Sequence, residues 1–274
     1  MLSLALGDPV ADFLLDALDQ FLEAARRVSK RWRLRKLEKR LAKAVGKAFV
    51  AQGQAFARRL SARKDLLPLV EAAPVATPEP DWEAILALLD AASAEARELF
   101  TAPLEQAVAE AMLAAGQSLY TDLAPAGLSF TLENPRAVAY LDQCGAELVR
   151  HVDATTKTVI RGILARGAEQ GWSVNQYAKA IVAQFREFAA PRPQGHIKNR
   201  AELVAATELG NAYEEGNLAA AEDLAGEGYE IEKYWQTVGD DRVSKLCRGN
   251  QAQGWIPLRQ AFKSGHKRPL GHPA

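Results

Sequence analysis

The chain has 274 residues, with 34 Lys and Arg against 34 Asp and Glu, so its formal net charge is zero. That length suits one or two domains with a real core, and the balanced charge leaves only local charge distribution to point at a partner. Two cysteines, Cys144 and Cys247, are too few for a disulfide scaffold and fit a reducing compartment.

The opening MLSLALGDPVADFLLDAL has no basic region and meets Asp8 early, so neither a signal peptide nor a span is expected. No apolar run approaches the roughly 20 residues that a bilayer requires. From about Asp12 to Lys64 there is no proline, and one long helix or two continuous ones are predicted. Leu34, Leu37, Leu41, Val45, Phe49, Phe56 and Leu60 recur at mostly helical steps, a stripe expected to dock on another protein or another copy. Pro68, Pro74, Pro78 and Pro80 then mark an extended linker over 67–81. Helices are predicted over Trp82–Phe100 and, after Thr101 and Pro103, to about Tyr120, with a short strand near Leu128–Leu132.

Asn134-Pro135 is a helix start, and helices are expected at about Arg136–His151 and Thr155–Glu169. Gly171 ends the second, and Ser173 caps the next. Lys198–Ala225 reads as a strong helix, and YEIEKYWQTV alternates as the first clear strand. The fold class is therefore mostly α, with a helical arm over 1–66, a helical segment over 82–133 and a last unit over 134–274 that carries a small β-hairpin element.

Arg26, Lys30, Arg33, Lys36, Arg40, Lys43 and Lys47 step by three and four, forming a cationic ridge on the predicted arm. Such a ridge follows phosphates without sequence preference, pairs with an acidic partner, or is a solvated face. Glu202, Glu208, Glu214 and Glu215 lie on one helix without the Glu-x-x-His spacing of a di-iron bundle, which leaves a surface-charged helix as the plain reading. Cys247, His266 and His272 supply too few ligands for tetrahedral zinc, so Cys247 and His272 are weak metal candidates and no metal or cofactor is expected. Glu230 and Glu232 form a Glu-x-Glu pair, as in ADP-ribosyltransferases, without the strand that normally precedes it. Nothing in the sequence proposes catalysis, so the expectation is a protein that is not an enzyme.

In order, GAEQGWSVNQYAKAI, RAELVAATELGNAYEEGN, KYWQTVGDDRV, GWIPL and RPLGHP resemble the Mu F-like family of phage head morphogenesis proteins, also called minor head or minor capsid proteins. Arg200, Ala201, Thr207 and Glu208 match its first block, with Ala206 where arginine is usual. Lys233 and Trp235 match its strand. Asp240, Arg242, Val243 and Cys247 match the next block, with Ser244 replacing its first cysteine. Gly254 and Pro257 match its turn, and His272-Pro273 its last block, read as cut before a Cys-Arg-Cys. The likeness covers roughly 137–274 and leaves the basic arm outside.

The resemblance implies a virion protein at the portal vertex inside the procapsid, made in the host cytoplasm and aiding head assembly and DNA packaging or delivery. Its implied partners are the portal protein, packaged duplex DNA, and scaffold or major capsid protein, with no membrane. Two other classes stay open: a non-specific DNA-binding protein ejected with the genome, and an effector or toxin-linked enzyme module. Asp240, Arg242 and Glu208 are expected to brace a small sheet on the helices, with Trp235, Trp255 and Phe262 as its apolar mass.

Overall fold

The computed structural model of the chain describes residues 9–66, 81–124, 127–189, 200–237, 239, 241 and 243–269; the side chains of 9–33, 64 and 144–153 lie outside that description. The described helices are α1 (Pro9–Ala62), α2 (Trp82–Leu123), α3 (Pro135–Glu169), α4 (Val174–Ala189), α5 (Arg200–Gly226) and α6 (Lys245–Gln251), with a single 3-10 turn over Lys64–Leu66 after α1. Two short strands, β1 (Glu232–Lys233) and β2 (Ile256–Pro257), pair antiparallel with Glu232 opposite Pro257 and Lys233 opposite Ile256. The fold is mostly α with one two-stranded sheet near the C-terminus.

Helix α1 is a single helix of 54 residues, about 80 Å long at 1.5 Å per residue. Its stripe does not wait for an outside partner. Leu34, Leu41, Val45, Phe49, Phe56 and Leu60 are buried in the chain's own core, packed by α2, α4 and α5. Phe49 meets Phe100 and Phe188 with ring centroids 5.2 Å away in each case. Buried Gln52 donates from Nε2 to Ser93 Oγ at 2.7 Å, a polar tie between α1 and α2. The expectation that this stripe docks on another molecule is thus corrected for Leu34–Leu60: four helices of one chain bury it together.

Helix α2 also differs from its reading. It runs unbroken through Thr101 and Pro103, where two helices were expected. A proline inside a helix removes one backbone hydrogen bond. Here Leu89, Ala92, Ala96, Phe100, Leu104, Ala107, Val108 and Ala111 stay in register across it and remain buried, so packing carries the helix past the defect. Helix α3 likewise spans Pro135–Glu169 without the expected break near Asp153. The predicted strand near Leu128–Leu132 is not formed; Phe130 instead sits fully buried beside Gly116 and 6.0 Å from the Tyr120 ring.

Local signals elsewhere do their expected work. Asn134 accepts from the Arg136 and Ala137 amides, and Pro135 follows at the first helical position. Gly171 adopts φ 64°, and the Trp172 amide reaches back to the Gly167 carbonyl at 2.9 Å, closing α3. Ser173 and Gln176 then exchange a capping interaction that opens α4. The predicted linker residues 67–80 lie outside the described structure.

Candidate functional site

Of the motif residues, Lys233, Trp235, Cys247, Gly254 and Pro257 fall in a small C-terminal module, 229–269, while Arg200, Thr207 and Glu208 lie on α5. Tyr229 leaves α5 with its amide on the Leu224 carbonyl at 3.2 Å, and the chain reverses into β1. Beyond Lys233 the predicted strand gives way to irregular backbone, so its alternation yields only a two-residue ladder.

Side chains complete what the short ladder cannot. Trp235 is 1% exposed and packs with Ile256 and Phe262, its ring 5.0 Å from Phe262 and nearly perpendicular to it. Lys233 places its ammonium 5.2 Å from the Phe262 ring centre and donates to the Lys267 carbonyl at 2.9 Å. Burial, then the charge of Lys267, pushes the Lys233 pKa below its usual value. Gly254 turns with φ 71°, which aims Ile256 inward and leaves Trp255 61% exposed beside Tyr234. Ser244 caps α6 by accepting from the Cys247 amide at 3.1 Å. Cys247 is half-buried against the Trp235 cluster. Buried Asn250 bonds Ser264 through both its amide nitrogen, at 2.7 Å, and its oxygen, at 3.2 Å.

Two devices fasten this module to the helices. Leu258 inserts against Leu218 and Ala221 of α5. Beside it, Glu215 is buried and takes an arginine on each carboxylate oxygen: Arg136 Nε from the first turn of α3 and Arg268 Nε from the C-terminal tail, each at 2.5 Å. Arg136 also reaches Glu222 at 3.0 Å, and Arg268 donates to Asn211 at 3.2 Å and lies 5.9 Å from the centre of the Tyr140 ring. Glu215 therefore corrects the reading of α5 as a surface-charged helix. The signal was present in the sequence: Glu215 falls on the apolar stripe Leu209, Ala212, Ala219, three or four residues from its neighbours.

The other expected site residues divide into four groups. Arg200 opens α5 with its guanidinium 4.9 Å from the Phe49 ring centre and 4.8 Å from that of Phe188, and donates to Thr156 at 3.1 Å. It is a tie between helices. Thr207 is exposed and Glu208 half-buried on α5. Asp240, Arg242 and His272 lie outside the described residues, so the expected Glu208–Asp240–Arg242 brace is not among the contacts on view. Of the cationic ridge, Lys36, Arg40, Lys43 and Lys47 are exposed on α1; the side chains of Arg26, Lys30 and Arg33 are outside the description.

A concavity of about 590 Å³ opens beside β1, lined by Tyr234, Thr237, Asp241, Arg248 and Gln251 among others. Thr237 and Gln251 bond each other across it, which closes the set on itself. Among the described residues no group of three His, Cys, Asp or Glu is placed to hold a metal, and no helix is long and apolar enough to cross a membrane. Comparison of the chain with family models, with curated proteins and with solved structures finds no match.

Proposed function

We propose that this chain is a structural protein of a bacteriophage head, of the minor head type, seated at the portal vertex inside the procapsid. Its work is binding: it holds a portal-proximal position, with scaffold or major capsid protein as further neighbours, and assists head assembly and the packaging or delivery of DNA. The observation that supports this most is the role of the motif residues. Lys233, Trp235, Cys247, Gly254 and Pro257 build one compact module, and each is engaged in packing, a turn or strand pairing. That is how signature residues act in a scaffold, where rigid shape is what the partner reads.

The test is a reconstruction of the phage head without imposed symmetry. Helical density matching α1 to α5 beside the portal is the expected result. Heads whose portal vertex carries no such density, with this chain absent from purified procapsids, would overturn the reading.

A further inference from the structure

The basic residues of α1 fall into two sets that the sequence does not separate. Toward its C-terminus they are paired within the chain: Arg58 and Arg59 share Glu95, at 3.1 and 2.6 Å. Arg40 is also engaged, with Glu110 of α2 at 2.6 Å. The remaining run is different. Arg35, Lys39, Lys43 and Lys47 are all exposed and make no ion pair with any described residue. Lys36 is exposed beside them. The only acid within this stretch, Glu38, is half-buried on the inward side, next to Leu34, Leu41 and Val45.

Lys39, Lys43 and Lys47 each follow by four residues, so they rise by about 6 Å per step along one side of a straight rod. From Arg35 to Lys47 the line is about 18 Å long. A duplex presents a phosphate charge about every 1.7 Å of its axis, so such a line meets several phosphates without needing a register. The composition of the face favours phosphate over an acidic protein. None of the large apolar side chains left exposed lies on the described part of α1, whereas protein interfaces are anchored by buried aromatic and aliphatic groups.

We infer that the outer face of α1, through Arg35, Lys39, Lys43 and Lys47, binds the phosphate backbone of duplex DNA without sequence preference. This deepens the head-protein reading by naming which partner that face meets, and it leaves the C-terminal module free for protein contacts.

The experiment measures binding of fluorescently labelled short duplexes of two unrelated sequences to the full chain by anisotropy. Both should bind alike, and raising salt from about 50 to about 200 mM should weaken binding roughly 100-fold, as expected for about four phosphate contacts. Lys39→Glu/Lys43→Glu/Lys47→Glu should abolish binding. Lys179→Glu/Arg186→Glu/Lys263→Glu changes three exposed cations elsewhere by the same total charge and should retain it. Circular dichroism establishes that both variants fold. Equal loss in the two triple variants, a salt-independent affinity, preference for one sequence, or binding of labelled polyglutamate in place of duplex would each overturn the inference. Its failure is separate from failure of the head-protein reading: portal-side density without duplex binding sinks only the inference, and duplex binding without that density sinks only the location.

Discussion

Glu215 shows most sharply what a single side chain does here. Its two oxygens are divided between Arg136 and Arg268, so one buried carboxylate joins α3, α5 and the C-terminal tail. Removing Glu215 takes the carboxylate from the largely buried Arg268, while Arg136 keeps Glu222, and breaking such a buried ionic group costs about 3–5 kcal/mol. Glu215→Ala should lower stability by that amount in urea unfolding, while Glu222→Ala, at a partly exposed carboxylate, should cost about 1 kcal/mol or less. A loss at Glu215 no larger than at Glu222 would mean that the clamp is ornamental. Tyr120 gives a second test. Its buried hydroxyl donates to Asp223 at 2.6 Å, and burial, followed by that bond, pushes its pKa up to about 12. The raised value means that the fold favours the neutral phenol. Its contribution is therefore complete below about pH 10, where an unfolded tyrosine also stays neutral, and disappears as pH climbs to about 12. Stability measured at about pH 9 and about pH 11.5 should fall in the parent and fall less in Tyr120→Phe. Neither residue's partner was legible in the sequence, because Arg136 and Arg268 are 79 and 53 positions from Glu215. What could be read was the position of a charge on an apolar stripe.

Among the helices, the crossing of α2 and α5 sets backbone against backbone. A Cβ on Gly216 would stand 2.3 Å from the Met112 carbonyl oxygen, and that obstacle is backbone, which cannot rotate aside. Gly216→Ala should therefore destabilise by about 1–3 kcal/mol or more, through forced separation of the two helices. Gly162, on α3, has nothing within 4 Å of an added Cβ. There alanine should raise stability by about 0.5–1 kcal/mol through helix propensity alone. A thermal melt of both variants checks the pair, and a Gly216→Ala protein as stable as the parent would refute the contact. Helix positions were largely readable, since the apolar steps of α1 and the caps at Asn134 and Ser173 are local signals. Helix breaks were overcalled, at Pro103 and near Asp153, because local rules weigh a missing hydrogen bond and cannot weigh a buried face continuing past it. The strand at β1 was overextended for the opposite reason: alternation in YEIEKYWQTV reports one side chain facing inward, Trp235, and says nothing about how long a neighbour stays alongside.

At the level of the molecule, α1 to α5 share one apolar cluster, and the C-terminal module has its own, centred on Trp235. Trp235→Ala should strip about 3–5 kcal/mol from that small cluster. Hydrogen exchange should then show lost protection over 229–269 with α2 and α5 still protected; uniform loss across the chain would mean that the two clusters unfold as one. The module was legible as a set of motif residues, while its attachment was not: Leu258 and Arg268 stand within GWIPL and RPLGHP, but no local pattern says that they meet α5. That attachment has a mechanical result. Gly216 falls between Glu215 and Leu218, which hold the tail and seat Leu258 respectively. The crossing of α5 with α2 and both anchors of the tail therefore share one helical turn, 215–218, so a change that spread the crossing would loosen the tail with it.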